Sequence, residues 1–228
     1  MTYQPPVRDY AFLLRDVLQL ERYANLPAFA DASMDTVDQI LEEAGRFTGE
    51  VLAPLNGVGD KEGCHWKPDF TVTTPKGFKE AYRQLVDGGW PALGVSTAYG
   101  GQGLPHVVNL AFSEMSSAAN MAFSMYPGLT HGAYSAILAG GSQEQKDLYL
   151  PKLASFEWGG TMNLTEPQCG TDLGLLRTKA VPQADGSYKI SGQKIWISGG
   201  EHDLTDNIVH LVLARIEGAP MGTRGISL

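Results

Sequence analysis

The run Thr165-Glu166-Pro167-Gln168-Cys169-Gly170-Thr171-Asp172 sets two carboxylates, two hydroxyls, a proline and a glycine between two apolar stretches. Two chemistries suit it. Glu166 and Asp172 would serve as general acid and base only if they converged in a pocket with shifted pKa values, and a turn after a strand commonly uses acids as acceptors for its own backbone. Alternatively, Gly170 admits close backbone approach, while the Thr171 hydroxyl and the amides around it can hydrogen-bond a phosphate or the edge of a heterocycle. On that reading the run is a cofactor cradle. Gly-Thr-Asp is also an ordinary turn, so the surrounding chain has to decide.

The elements that would position this run fall into two blocks. Phe12, Leu13, Leu14, Val17, Leu18 and Leu20 recur at helical spacing from Asp9, a candidate N-cap, to about Tyr23. Val37, Ile40, Leu41, Ala44, Phe47, Val51 and Leu52 make one apolar face that Pro54 should stop. A third helix is expected from Pro75, in its first turn, to Gly88-Gly89. A glycine-rich loop follows from Val95 to Leu104. Pro105 to Ala139, dense in Ala, Ser, Met and Gly, reads as two helices broken near Pro127-Gly128, and a short helix follows from Ser142. Beyond Trp158 the composition turns to strands at 160–164, 178–181, 188–190, 194–198 and 208–215, with turn signals at Asp185-Gly186 and Ser191-Gly192. The expected class is α+β: a helical N-terminal domain, then an antiparallel β-domain. The last four residues, Gly225-Ile226-Ser227-Leu228, resemble the middle of a further strand, which points to a piece of a longer protein.

Composition narrows the function classes. The chain has 228 residues, 43% hydrophobic and 18% charged, as in soluble globular proteins. Its 25 acidic and 17 basic side chains give a net charge of -8 with no basic cluster, which argues against nucleic acid as a partner. No apolar run is long enough to span a bilayer, and the start lacks the pattern of a signal peptide, so the cytoplasm is expected. Cys64 and Cys169 are too few and too far apart for a disulfide framework or a thiolate metal site. His65, His106, His131, His202 and His210 have no metal-ligand spacing.

Four blocks in order, Ser142-Gln143-Glu144-Gln145-Lys146, Tyr149-Leu150-Pro151, Leu164-Thr165-Glu166-Pro167 with Gly170-Thr171-Asp172, and Gly192-Gln193-Lys194-Ile195-Trp196-Ile197-Ser198, resemble the acyl-CoA dehydrogenase family. Tyr99-Gly100-Gly101-Gln102-Gly103 is similar to that family's loop between helices. The resemblance runs from about residue 35 to the end. The N-terminal addition, with Tyr3, Pro5, Pro6, Arg8, Asp9 and Phe12-Leu13-Leu14, resembles the leader of longer bacterial members, a subgroup that includes enzymes for methylthiopropionyl-CoA.

The resemblance implies an extension over 1–34, a helical domain over 35–157, a truncated β-domain over 158–228, and a C-terminal helical bundle absent from this chain. It implies FAD, with Leu164 and Thr165 against the flavin, Gly170 in the cradle, and Thr171 reaching the FAD pyrophosphate or the CoA arm. Trp196 would shield the isoalloxazine and Ser198 would bond near its reactive edge. Thr171 and Ser198 stand where relatives more often have Ser and Thr, which keeps each hydroxyl. Glu166 and Asp172 would then fix the loop. The implied reaction is α,β-dehydrogenation of an acyl-CoA thioester, with an electron-transfer flavoprotein as electron acceptor and a homo-oligomer as the assembly.

The family's catalytic base is a glutamate of the C-terminal bundle, so no catalytic residue is assigned in this chain. Glu114, within a helix, is read as solvated or capping. Met125 and Tyr126, beside the expected break at Pro127, are candidate acyl-pocket residues, although methionines and aromatics at helical spacing also make ordinary core. An acyl-CoA oxidase or flavin monooxygenase of the same fold, or a short non-catalytic acyl-CoA or partner-binding paralogue, are the alternatives. Without the bundle, the chain alone is expected to hold FAD weakly or not at all.

Overall fold

The structure is a computed structural model and describes residues 3–228. Helix α1 (Val7–Phe12) begins two residues before the expected cap at Asp9, and continues through a π-helical turn to Val17. Ser33 caps α2 (Met34–Arg46) by accepting from the Thr36 amide at 3.3 Å. Met34, Val37, Leu41 and Ala44 form its buried face.

Pro54 does not stop this helix. A π-helical stretch, Phe47–Leu52, leads directly into α3 (Ala53–Glu62), and Pro54 falls in the first turn of α3, where its missing N–H is least costly. A small antiparallel pair, β1 (His65–Trp66) and β2 (Val72–Thr73), precedes α4 (Phe78–Asp87). That helix starts after Gly77 rather than at Pro75, whose carbonyl instead accepts from the Phe78 amide.

Helices α5 (His106–Ala119) and α6 (Met121–Gly140) separate at Asn120, not at Pro127. Asn120 leaves helical geometry (φ -157°, ψ 89°), accepts from the Phe123 amide at 3.0 Å and donates to the Leu52 carbonyl at 3.2 Å. Pro127 is carried inside α6. It removes one backbone bond, yet Phe123, Thr130, Ala133 and Tyr134 are buried on either side of it, and tertiary packing holds the helix together. Ser142 starts α7 (Gln143–Ala154) with a full capping box to Gln145.

The strands after Trp158 are β3 (Trp158–Asn163), β4 (Lys179–Pro182), β5 (Tyr188–Ser191), β6 (Asn207–Val212), β7 (Ala214–Ile216) and β8 (Ile226–Ser227). The α+β order is the one expected, but the pairing is mixed. β4 with β5 and β7 with β8 are antiparallel, whereas β3 with β6 and β4 with β7 are parallel. Long connections separate the parallel partners, as such pairs require. The stretch 194–198, expected as a strand, is not one; it is held by other bonds described below.

A single apolar core joins α1, α2, α4, α5 and α6, with Trp90 and Phe112 stacked at 4.5 Å and Phe78 edge-on to Phe123 at 5.6 Å. A second, smaller core of Val95, Ala133, Tyr134, Leu150, Leu153 and Ala154 joins α6 and α7, with Val209 and Leu211 of β6 packed against it. Here α6 meets β3 closely: a Cβ on Gly160 would stand 2.5 Å from that of Ala133. No helix of the described residues is long and apolar enough to cross a membrane.

Candidate functional site

The chain leaves β3 at Asn163 and turns into the loop 164–172, which is organised around Glu166. This carboxylate is buried and accepts from the amides of Arg177 (2.8 Å) and Thr178 (3.0 Å), from Gln168 Nε2 (2.6 Å) and from Lys194 Nζ (3.0 Å). Burial by itself would raise its pKa; the hydrogen bonds from Thr178, Arg177 and Lys194 outweigh it and hold the group down at about 2. A carboxylate so engaged takes no proton from a substrate. Asp172 accepts from the Gly174 amide at 3.1 Å and caps the short turn Leu173–Leu175. Glu166 is therefore no general base, and both acids shape the loop.

Lys194 ties a second segment to the first. Besides Glu166, its ammonium donates to the Leu164 carbonyl at 3.1 Å, and the next amide, Ile195, donates to the Thr165 carbonyl at 3.0 Å. Thr161 Oγ1 donates to the Ser198 carbonyl at 2.7 Å. These bonds explain why 194–198 is ordered without being a strand. They bring Leu164, Thr165, Trp196 and Ser198 together, and place Gly170 beside Thr165, whose methyl would lie 3.4 Å from an added Cβ.

Trp196 is the anomaly of this cluster. Its indole is 83% exposed, and its backbone has φ 62°, a left-handed conformation that costs a bulky residue on the order of 1–3 kcal/mol. Folding gains little from burying it, so a large flat face is displayed at a strained position. Around it lie the hydroxyl-bearing Thr165 and Ser198. Among the described residues, the amides of Gly170, Thr171 and Asp172 have no backbone carbonyl as partner. A flat face, hydroxyls and three successive N–H groups suit a planar heterocycle with an anionic arm.

Helix α6 borders the cradle through Tyr126. Its ring lies 3.5 Å from the place of a Cβ on Gly199, next to Ser198, and meets the His202 ring edge-on at 5.0 Å. Its hydroxyl is 3.7 Å from Cys64 Sγ, and its pKa is raised, first by burial and then by Cys64. Met125 is half-buried on the same helix. Glu114 is exposed on α5 near Tyr10 and Tyr3, whose pKa values are raised by burial and then by Glu114.

Sequence reasoning passed over two groups. Lys194, one residue of the Gly192–Ser198 block in the sequence, joins the two halves of the cradle. Asp203 accepts from both the amide (3.0 Å) and the hydroxyl (2.8 Å) of Thr74 and anchors the 199–205 loop to the helical half. Nothing local distinguishes either from a solvated charge, since their partners are distant in sequence. Among the described residues no group of His, Cys, Asp and Glu is placed to hold a metal ion.

Comparison with known proteins identifies the family. Residues 34–157 match the family description "Acyl-CoA dehydrogenase, N-terminal domain" and residues 161–228 match "Acyl-CoA dehydrogenase, middle domain". The whole chain is 50% identical to 3-methylmercaptopropionyl-CoA dehydrogenase of Ruegeria pomeroyi, and spans 39% of that protein's length. It is 38% identical over 99% of its length to a butyryl-CoA dehydrogenase of Syntrophomonas wolfei, of which it spans 37%. Among solved structures, an acyl-CoA dehydrogenase complexed with FAD from Bacillus anthracis superposes with a TM-score of 0.65 at 29% identity, over 83% of this chain and 30% of that one.

Proposed function

Since the chain belongs to the acyl-CoA dehydrogenase family, we propose that it forms the N-terminal and middle portions of an FAD-dependent enzyme that oxidises a short acyl-CoA thioester between its α and β carbons. The observation that carries the reading is the strained, exposed Trp196, clamped beside Thr165 and Ser198 by Lys194 and Ile195. The division proposed is an extension over 1–34, a helical domain over 35–157 and a β-domain over 158–228.

When bound, FAD would supply the two-electron acceptor for the β-hydride. Leu164 and Thr165 would lie against the flavin and Trp196 would shield its ring. Ser198 would bond near the reactive edge, and Gly170 and Thr171 would meet the pyrophosphate, with the CoA arm as the other destination for Thr171. The α-proton is a weak acid, so its removal needs a free carboxylate in a desolvated site. Glu166 and Asp172 are committed to the loop, and Asp203 to Thr74. No acid of this chain is assigned as the base; the family resemblance implies a glutamate of a C-terminal helical bundle in that role.

The 50% identity to 3-methylmercaptopropionyl-CoA dehydrogenase supports a short acyl group, with a thioether chain as the first candidate. An electron-transfer flavoprotein as acceptor, a homo-oligomer and a cytoplasmic location complete the proposal. The test is anaerobic mixing of the FAD-loaded protein that carries this chain with 3-(methylthio)propionyl-CoA. Loss of the oxidised flavin absorbance is expected; an unchanged spectrum with this and other short acyl-CoAs sinks the reading. In a Trp196→Gly variant, FAD affinity should fall while thermal stability does not, because glycine relieves the positive φ and little packing is lost.

A further inference from the structure

The segment ahead of α2 turns one face inward and leaves the other bare. Helix α1 and its π-helical continuation run over residues 7–17. Val7, Tyr10, Ala11 and Leu14 recur at i, i+3, i+4 and i+7 and pack on the larger core, with Leu14 fully inside it. The fit is close: an added Cβ on Gly45 of α2 would stand 2.6 Å from Val7 Cγ2, and one on Gly49 would stand 3.3 Å from Pro5 Cδ. The helix is thereby fixed in rotation, and its outer face cannot roll inward.

Arg8, Phe12 and Asp16 stand on that outer face at i, i+4 and i+8, and all three are exposed. The Phe12 ring is 56% exposed, and Leu13, Val17 and Leu18, exposed as well, continue an apolar ridge beside it. Four large apolar side chains so close together make a patch of the kind that marks an interaction site. Arg15 takes no part, because its guanidinium is bonded to Asp38 of α2.

The charges along this ridge say what covers it. One end of the line is a guanidinium and the other a carboxylate, with the ring midway. Laid antiparallel on a second copy, with a two-fold axis at Phe12, the line meets its own reverse: each Arg8 faces the second copy's Asp16, and ring meets ring. A parallel pair in register would set like charges against each other, which disfavours it. A membrane surface is a poorer match, since a helix lying on one carries a basic polar face, whereas here Asp9 and Asp16 outnumber Arg8.

We propose that residues 7–17 form a self-complementary contact with a second copy of this chain: two antiparallel helices that cross at Phe12, with Arg8 of each opposite Asp16 of the other. Such a contact concerns how copies meet and does not depend on the acyl-CoA reading. Two facing helices of this length bury less than the roughly 1,200 Å² of a stable stand-alone interface. The contact is therefore weak by itself, and trapping detects it best.

The test is oxidative cross-linking of the protein that carries this chain, in a Cys64→Ser background because Cys64 is exposed. With helix axes about 8–10 Å apart and Cα atoms about 2.3 Å from each axis, residues on the two-fold axis come within disulfide reach. Phe12→Cys should therefore link two copies through position 12, read by peptide mass. Leu18→Cys is similarly exposed but lies six residues from the axis. Its two copies would be about 18 Å apart along the helices and should not link. Arg8→Asp should cut the yield at position 12 on the order of tenfold, and adding Asp16→Arg should restore it. All four side chains are exposed, so melting temperature should stay unchanged throughout. No link at position 12 overturns the proposal and would mean that another part of the polypeptide, or another partner, covers the ridge. Equal yields at positions 12 and 18 overturn it too, as the mark of an apolar patch without register. So does a link that Asp16→Arg fails to restore. Flavin reduction by an acyl-CoA, which tests the family chemistry, is untouched by any of these outcomes.

Discussion

The helical half and the strand half of this chain are held by different forces. Residues 3–157 supply nearly all the buried residues of two apolar cores, the larger of which fully buries Phe78, Leu41, Leu52, Leu85, Met115 and Phe123. After Trp158 few large side chains are buried: β5 is exposed along its whole length, β6 is exposed at Asn207 and His210 and half-buried elsewhere, and Leu175, Tyr188, Ile190 and Leu228 face outward. Order there depends on the polar cluster around Glu166 and on the parallel pairing of β3 with β6. The helical part therefore resembles a finished domain, and the β part a surface arranged to be met by something else. This contrast suits a binding cradle, whose loops must be firm while their working face stays open.

Two truncations of similar expected cost separate the two regimes. Phe123→Ala removes a ring that contacts Phe78 and Tyr82. It should cost about 3–5 kcal/mol and lower global stability in a denaturant titration. Glu166→Ala leaves the Lys194 ammonium, 10% exposed, without its counter-charge. A broken buried pair also costs roughly 3–5 kcal/mol, but here locally. Amide exchange should accelerate over 164–178 and 194–198 and stay unchanged in α2 and α4. If both substitutions unfold the chain as a whole, the two regions are one cooperative unit and the comparison fails.

Acid should act on the two regions in two windows of pH. His131 has a folded pKa of about 4, below its usual value near 6.5. The unfolded chain binds that proton more readily, so the stability tied to neutral His131 is complete above about 6.5 and is lost as pH falls towards 4. Glu166, held at about 2, contributes stability that is complete above its ordinary carboxylate range near 4.5 and is lost as pH falls towards 2. Melting temperature followed from pH 7 to 2 should drop in two windows. His131→Gln should shrink the upper window without abolishing it, because burial also holds His202 of the strand half at about 4, and Glu166→Gln should shrink the lower.

The smallest expected effect is at the N-terminus of α7. Ser142→Ala removes the capping box with Gln145 and should cost about 1 kcal/mol by thermal melting. A loss much above that would show that α7 depends on its cap more than on Leu150 and Leu153 in the smaller core.

Much of the fold was legible because it is written in local chemistry. The apolar face of α2, the cap of α7 and the turn to strands after Trp158 follow from spacing and side-chain type. The misreadings share one cause. Pro54 and Pro127 are breakers in an isolated chain, but a π-helical stretch before Pro54 and buried neighbours around Pro127 carry the helix past both. Lys194–Ser198 has the composition of a strand, yet its bonds go to Leu164, Glu166 and Thr165, singly rather than as a ladder.

For the candidate site, the sequence by itself determined the parts: a glycine with flanking hydroxyls, two acids, a lysine and a tryptophan in blocks resembling one family. Tertiary structure alone decided their duties. Four donors converge on Glu166 and remove it from acid–base chemistry, a left-handed backbone turns Trp196 outward, and Asp203 is tied to Thr74 in the helical half. Such assignments depend on groups far apart along the chain, and a side chain's hydrogen bonds, burial and charge exist only once folding has chosen its neighbours.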